Sequence, residues 1–264
     1  YRTTSSISDN DIASRLTGPR RLETTQSGTE ASNPDNTFDY MNGWRDTGGG
    51  SNSMSWMFKR APQFFDVVCY SPSGSAGYTV KHGLTVAPEL IITKKRTSAS
   101  DSNWVAGFVD IDEWGYLNET DRFNESLSSF YSSITATEYD LAGNSQVNAS
   151  GQDYIAYLFA TLDGISKIGS YAGNGTSQTI DCGFSGGARF VMVKCTATSV
   201  GWIIWDTTRG IVAGNDPHLL LNSTAIEDTA YDWIDPDSSG FIINHTVGDH
   251  TNNTGEDYVF LAIA

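Results

Sequence analysis

The feature that most constrains the fold of this chain is an internal repeat with a period of about a hundred residues. Residues keep a nearly constant spacing from one copy to the next, as in the pairs Tyr70 and Tyr171, Lys94 and Lys194, and Trp104 and Trp202. The copies also close alike, with apolar runs at 154–160 and 258–264. Because a repeat this long is expected to fold as one unit, we predict two copies of one domain, at 64–161 and 162–264.

A third and partial copy precedes these two. Residues 54–59 match 155–160, with Phe58 falling on Phe159, and residues 22–30 resemble 219–227. The strand-like runs that open the later copies have no match ahead of these segments. We therefore predict that residues 1–63 are the later part of a repeat whose first strands are not in the chain.

Within each copy the sequence has the pattern of β-strands joined by tight turns. Short runs rich in Val, Ile, Tyr, Phe and Thr are separated by clusters of Gly, Asn, Ser and Pro. The runs at 90–92 and 190–193 are apolar at successive positions, as in a strand that is buried on both faces. The predicted fold class is all-β, with tandem β-sandwich (jelly-roll-like) domains preceded by the partial repeat.

Composition excludes two classes of function. The chain has 16 Lys and Arg against 31 Asp and Glu, a formal net charge of −15, whereas binding to nucleic acid depends on cationic side chains. No apolar run approaches the roughly 20 residues that a membrane-spanning helix needs. We therefore expect neither a nucleic-acid partner nor membrane insertion. The cysteines, Cys69, Cys182 and Cys195, are too few for a disulfide scaffold and are predicted to be buried, with one bridge possible.

Two motifs invite an enzymatic interpretation, and neither is sufficient. Residues 183–187 fit the G-x-S-x-G pattern of hydrolases, but a strand follows them instead of a helix, so we predict a hairpin turn. Asp110, Asp112 and Glu113 resemble the paired carboxylates of glycosidases, but nothing places a second group opposite them. The sequence favours a protein that is not an enzyme, and a glycan-cleaving enzyme is the weaker alternative.

The same acidic stretch suggests a site for sugar. Trp114 and Tyr116 could stack on a pyranose ring, while Asp110 and Asp112 accept hydrogen bonds from its hydroxyl groups. The alternative is an ordinary solvated loop. Trp104, Trp202 and Trp205 lie in strand patterns and are predicted to pack in the core.

Residues 235–240 resemble the first half of a calcium-binding loop. Asp235 and Asp237 supply closely spaced carboxylates of the kind that Ca²⁺ prefers. The twelfth position is Thr246 instead of Glu, so a plain turn is the favoured interpretation. His245, His250 and Asp249 could form a transition-metal cluster, or simply a polar strand and loop. We expect no cofactor, with Ca²⁺ at Asp235 and Asp237 as the exception to test.

Seven N-x-S/T sequons form candidate glycosylation sites, since such motifs accept glycans in secreted chains. They lie at Asn118, Asn124, Asn148, Asn174, Asn222, Asn244 and Asn252.

Four of the repeated stretches, 65–70, 82–84, 88–94 and 154–160, resemble a repeated β domain of tail-fibre-like virion proteins of marine bacteriophages. The resemblance covers roughly 64–264 and, more faintly, 1–63. The second copy departs from the pattern, because Cys182-Gly-Phe184 replaces His82-Gly-Leu84, so no role for His82 carries across both copies. The resemblance implies a structural or adhesive part of a virion without an active site.

These observations favour a non-enzymatic component of a phage tail fibre or similar extracellular appendage. Such a protein would self-associate as an oligomer or filament, would lie outside the cell or on the virion surface, and could bind a cell-surface glycan. The alternative is a glycosylated cell-surface or filament protein that assembles head to tail by strand complementation.

Overall fold

A computed structural model describes residues 10–34, 36–40, 43–46, 54–244 and 250–264 of the chain. These residues form antiparallel β-strands and loops, with a single 3-10 turn at Leu127–Ser129. The prediction of an all-β, sandwich-like fold is confirmed. None of the described residues forms a helix long and apolar enough to cross a membrane.

The strands fall into three parts, which we name by residue range. The N-terminal part (10–60) contains β1 (Asp11–Ile12), β2 (Arg20–Glu23), β3 (Ala31–Ser32), β4 (Asn36–Tyr40) and β5 (Gly43–Asp46). Unit 1 (64–161) contains β6 (Phe65–Tyr70), β7 (Tyr78–Lys81), β8 (Leu90–Lys95), β9 (Val105–Phe108), β10 (Glu113–Tyr116), β11 (Asn124–Glu125), β12 (Tyr131–Ile134), β13 (Glu138–Leu141) and β14 (Tyr154–Phe159). Unit 2 (162–264) contains β15 (Ser166–Ala172), β16 (Gln178–Asp181), β17 (Phe190–Cys195), β18 (Ile203–Asp206), β19 (Leu219–Leu220), β20 (Ile234–Asp237), β21 (Gly240–Ile243) and β22 (Asp257–Ile263).

Units 1 and 2 have the same sheet topology. In unit 1 a large sheet runs β6-β14-β8-β9-β10-β11 and a small sheet runs β7-β13-β12. In unit 2 the corresponding orders are β15-β22-β17-β18-β19 and β16-β21-β20. The registers also agree, since Thr93 pairs with Val105 and Val193 pairs with Ile203. The sequence repeat is therefore a repeat of strand order and of pairing register.

Each unit has a core between its two sheets. In unit 1 Val80 and Tyr139 of the small sheet share this core with Leu158 of the large sheet. In unit 2 the cluster between the sheets includes Phe241 and Phe260. Alternation along each strand points every second side chain into this core and the others to the opposite face of the large sheet.

The opposite faces of both large sheets meet in a central core. Ile92 and Tyr157 of unit 1 pack there with Met192 and Leu261 of unit 2 and with Leu22 of the N-terminal part. The large sheets are thus buried on both sides, which explains why β8 and β17 are apolar at successive positions.

Contacts between the three parts run in a ring. The indole N–H of Trp104 in unit 1 donates to the carbonyl of Glu23 in the N-terminal part at 2.9 Å. The indole of Trp202 in unit 2 donates in the same way to Tyr116 of unit 1 at 3.0 Å. The ring closes where the side-chain amide of Asn10 donates to the carbonyls of Leu220 (3.1 Å), Leu221 (2.9 Å) and Ser223 (3.2 Å) in unit 2.

Backbone pairing shows that Asn10 stands where the units have tryptophan. Thr24 N–H donates to the carbonyl of Asn10, as Leu117 donates to Trp104 and Leu221 donates to Trp202. Leu22 pairs with Ile12 as Leu219 pairs with Ile204, so Leu22 is the counterpart of Leu219 in unit 2. The N-terminal part therefore follows the strand order of the units from the β9 position onward.

The links between the parts are also alike. Ala61 bridges to Phe65 and Leu162 bridges to Ser166, so the two turns have the same pairing pattern. Each turn has one left-handed residue, Gln63 with φ 64° or Gly164 with φ 71°.

The cysteine prediction is wrong at one position. Cys182 and Cys195 are buried, but Cys69 is exposed, because it lies near the outer end of β6, an edge strand of the large sheet. All three thiols are free.

Candidate functional site

The two aromatic residues predicted to bind sugar lie on β10 and pack toward the sandwich core of unit 1. The Trp114 ring makes an edge contact with Phe130 at a centroid distance of 4.6 Å and with Tyr116 at 5.1 Å. Gln146 donates a hydrogen bond to the Tyr116 hydroxyl. Both side chains are only partly exposed, so neither ring presents an open face as a stacking platform.

The two acidic residues of the predicted sugar site, Asp110 and Asp112, lie in different surroundings. Asp112 has a left-handed backbone, with φ 54°, and its carboxylate accepts the N–H of Leu127 at 3.0 Å, which fixes the loop before the 3-10 turn. Asp110 instead lines a cleft of about 420 Å³ between units 1 and 2, beside Glu89, Lys167 and Asp181. The structure therefore does not bring the four predicted residues to one surface.

The calcium candidates lie on a β-hairpin. Asp237 ends β20, and its carboxylate accepts the N–H (2.8 Å) and the hydroxyl (2.7 Å) of Ser239, hydrogen bonds that lower the pKa of the carboxyl group. Asp235 accepts the side-chain amide of Asn244 at 2.8 Å. These contacts are those of a turn. Within the described part of the chain no three acidic, His or Cys side chains form a metal-binding group, and His245, Thr246 and Asp249 lie outside it.

At three of the predicted glycosylation sites the side-chain amides are buried and hydrogen-bonded. Asn148 donates to the carbonyls of Ser75 and Ala142, both at 2.8 Å. Its counterpart Asn252 donates to Thr176 and Ile243. The Asn118 oxygen accepts the N–H of Trp104 at 2.8 Å, while its amide group donates to two further side chains. A glycan on any of these nitrogens would have to replace a buried hydrogen bond.

The other four sequons are more accessible. Asn124 and Asn174 are exposed, and Asn222 and Asn244 are partly exposed. Asn222 repeats the role of Asn118, since its oxygen accepts the N–H of Trp202 at 2.9 Å. Asn124 and Asn174 are the best placed of the seven to carry a glycan.

The sequence did not identify the two buried lysines, Lys94 and Lys194, as candidate functional residues, although they are a matched pair of the repeat. Lys94 donates to the carbonyls of Ser102 in unit 1 and Ser27 in the N-terminal part, the latter at 3.0 Å. Lys194 donates to Val200 in unit 2 at 2.6 Å and to Thr120 in unit 1 at 3.0 Å. Burial lowers the pKa of Lys94 to about 7, with a smaller contribution from Lys95, and it lowers the pKa of Lys194 to about 8. Each ammonium group holds its unit against the preceding part.

The sequence also did not predict a large groove in the structure. It opens beside the N-terminal part and has a volume of about 830 Å³. Ile12, Trp56 and Phe58 line its walls, and Phe159, Phe190 and Met192 lie at its floor. No sequence motif marks it, because its lining comes from all three parts.

The fold and these sites define a class of protein built from repeated β-sandwich units, whose matching polar residues connect one unit to the next. The chain belongs to a family described as a domain of unknown function, DUF7483, whose model matches residues 20–264. The match includes β2 and β3 of the N-terminal part together with both units. No curated protein and no solved structure gives a significant match.

Proposed function

We propose that this protein is a non-enzymatic structural component of an extracellular appendage such as a phage tail fibre. The observation that carries the proposal is the use made of the polar residues repeated between units. Trp104, Trp202, Lys94 and Lys194 each donate at least one hydrogen bond to a carbonyl of the preceding part. These repeated residues hold adjacent parts of the protein together, because their donor groups form hydrogen bonds inside the fold.

The placement of the acidic residues supports a role other than catalysis. Glycosidases need two carboxyl groups that face each other across a sugar. Asp112 is engaged with the backbone of Leu127, while Asp110 lines a separate cleft. The resemblance to fibre domains supports a location on the virion or outside the cell.

Localisation tests this proposal. Antibodies raised against the purified chain are applied to particles and cells from the source culture and detected with gold in the electron microscope. We expect label on fibres of virus-like particles or on appendages. Label confined to the cell interior would contradict the proposal, as would an enzymatic activity that Asp110→Asn abolishes.

The cleft that contains Asp110 is the candidate site for an adhesive role. Glu89, Asp110, Lys167 and Asp181 supply charged groups that hydrogen-bond to sugar hydroxyls, and the cleft volume of about 420 Å³ is within the range of small-ligand sites. Titration with host surface polysaccharide should show binding that Asp110→Asn weakens by roughly tenfold. Asp101→Asn, at an exposed position on the loop after β8, serves as the control and should have no effect.

The glycoprotein alternative depends on Asn124 and Asn174, which are exposed. Intact-mass measurement of the natural protein separates the two proposals. A mass above 28.6 kDa by whole sugar units, lost in Asn124→Gln or Asn174→Gln, would favour a glycosylated cell-surface or filament protein.

A further inference from the structure

The groove beside the N-terminal part lies where units 1 and 2 each have a strand. In unit 1, β8 lies between β9 and β14, and in unit 2, β17 lies between β18 and β22. In the N-terminal part, β1 occupies the β9 position, and the repeat places residues 54–59 at the β14 position. Both β1 and residues 55–60 line the groove. It therefore corresponds to the position of β8 and β17.

Exposure along residues 54–59 supports this correspondence. Met57 is 59% exposed, whereas its counterpart Leu158 in β14 is fully buried. Phe58 is 37% exposed, against 5% for Phe159. In the units these positions are covered by neighbouring strands on both sides of β14 and β22. Large apolar side chains exposed along one segment mark a surface suited to a partner.

We propose that the groove binds an extended polypeptide strand, here called the donated strand, with the sequence pattern of β8 and β17. The inference deepens the assembly role proposed above and depends on it, since it names the site and the partner. In units 1 and 2 the strand at this position places Ile92 or Met192 in the central core. The donated strand needs a large apolar residue there, two positions before a lysine.

The register of the donated strand follows from the units. Ile92 pairs with Ala106 and Met192 pairs with Ile204, and the counterpart of these two partners is Ile12. The apolar residue of the donated strand therefore lies opposite Ile12. Its side chain points to the floor of the groove, where Met192 and Phe159 contribute apolar surface.

The lysine of the donated strand would be held by unit 2. Lys94 donates to the carbonyl of Ser27, which lies three residues after Thr24. Lys194 donates to the carbonyl of Thr120, which lies three residues after Leu117. Thr24 and Leu117 are equivalent positions by their backbone hydrogen bonds. Leu221 is the equivalent position in unit 2, so the matching carbonyl is that of Thr224. This polar end of the site selects a cation, whereas the rest of the groove selects apolar side chains.

A small apolar molecule would fit the volume of the groove but not its chemistry. Volumes of about 300–1,000 Å³ are common for ligand pockets. However, β1 is the edge strand of its sheet among the described strands, and an extended peptide can add to such an edge through main-chain hydrogen bonds. A small hydrocarbon cannot form them, so the combination of edge and groove favours a strand.

Peptide binding to the full chain tests the proposal. The probes are labelled synthetic peptides with the sequences of residues 88–96 and 188–196, the latter with Ser for Cys195, and binding is followed by fluorescence anisotropy. We expect saturable binding that falls by at least roughly tenfold for a peptide with Ile92→Glu and for one with Lys94→Glu. A peptide of the same composition in scrambled order is the control and should bind no better than these.

Two measurements locate the bound peptide. Ile12→Arg in the full chain should weaken binding by at least roughly tenfold, while Ile165→Arg, at an exposed position that is not part of the groove lining, should leave it unchanged. A photoreactive group at position 92 of the peptide should cross-link to groove residues such as Ile12 or Met192. Cross-links mapping elsewhere would overturn the proposal even if Ile12→Arg fails to fold.

Three other outcomes also count against the donated strand. They are the absence of peptide binding, equal binding of the scrambled peptide, and a dimer of the chain that excess peptide does not disperse, which would make a second copy the occupant. None of them bears on the localisation experiment. A failure of the donated strand is therefore distinguishable from a failure of the proposed function.

Discussion

The two complete units and the N-terminal part join their neighbours with different chemistry. Units 1 and 2 each insert a fully buried tryptophan, Trp104 or Trp202, between themselves and the preceding part. At the equivalent place the N-terminal part has Asn10, which donates to three backbone carbonyls of unit 2 and buries little apolar surface. A buried tryptophan removes 150–250 Å² from water, so at this position two junctions are joined by packing and the third by hydrogen bonds. We therefore expect Asn10 to contribute less to stability than either tryptophan.

Truncation of the tryptophans should give the largest effects. Trp202→Ala and Trp104→Ala should each lower the free energy of unfolding by about 3–5 kcal/mol, because each leaves a cavity in the central core and an unpaired carbonyl. Asn10→Ala should cost less, about 1–3 kcal/mol. Urea denaturation followed by circular dichroism measures all three. An Asn10→Ala effect as large as that of Trp202→Ala would refute this ranking.

The buried asparagines test whether units 1 and 2 are equivalent inside as well as at their junctions. Asn148→Ala and Asn252→Ala should each destabilise the fold by about 2–3 kcal/mol, because buried carbonyls and N–H groups lose their partners. Asn124→Ala at an exposed sequon should change stability by less than about 0.5 kcal/mol. Thermal and urea unfolding of the three variants should rank them in this order. A similar small effect for all three would show that burial at these sites is not stabilising.

The buried lysines should make stability depend on pH. Because the folded-state pKa of Lys94 is lowered to about 7, the unfolded chain binds more protons than the folded chain above that pH. The free energy of unfolding should therefore rise by about 1–2 kcal/mol between pH 7 and 9, relative to a Lys94→Met variant. Lys194, with a pKa of about 8, should show a later onset relative to Lys194→Met.

Urea titrations at each pH provide this measurement. The window ends near pH 10, where burial raises the pKa of tyrosines such as Tyr131 and Tyr139 and reverses the trend. Identical pH profiles for the parent chain and the Lys94→Met variant would contradict a buried, weakly protonated Lys94.

The smallest expected effect concerns the hairpin of unit 2. Asp237→Ala removes the two hydrogen bonds from Ser239 and should lower the melting temperature slightly, equally in EDTA and in millimolar Ca²⁺. Thr135→Ala in the corresponding hairpin of unit 1, where the threonine hydroxyl donates to Glu138, should lower it by a similar amount. Differential scanning fluorimetry in both buffers measures these shifts. A stabilisation by Ca²⁺ that Asp237→Ala abolishes would establish the metal site.

Periodicity was enough to predict the strands and their repetition. The matches of Trp104 with Trp202 and of Lys94 with Lys194 agree with the equal registers of the two units, because a one-residue slip would turn every side chain to the other face of the sheet. The roles of these residues could not be predicted. Lysine after an apolar run normally marks a solvent-exposed strand end, and only the ring arrangement brings carbonyls of the preceding part to Lys94.

Burial at the candidate sites was equally hidden from the local sequence pattern. A sequon records three adjacent residues and carries no information about burial, so Asn124 and Asn252 look alike in sequence although one is exposed and the other is in the interior. Trp114 next to acidic residues suggested a sugar platform, but the alternation of β10 turns its ring toward Phe130. In both cases the tertiary environment decided a role that the local pattern leaves open.

Every junction tryptophan reaches backward along the chain, from unit 1 to the N-terminal part and from unit 2 to unit 1. A ribosome releases the N-terminal residues first, so each unit emerges beside a neighbour that has already been synthesised. The carbonyl that accepts each indole is then in place before the tryptophan leaves the exit tunnel. Such directionality favours stepwise folding from the first unit to the last and limits the time during which large apolar rings are exposed to other nascent chains.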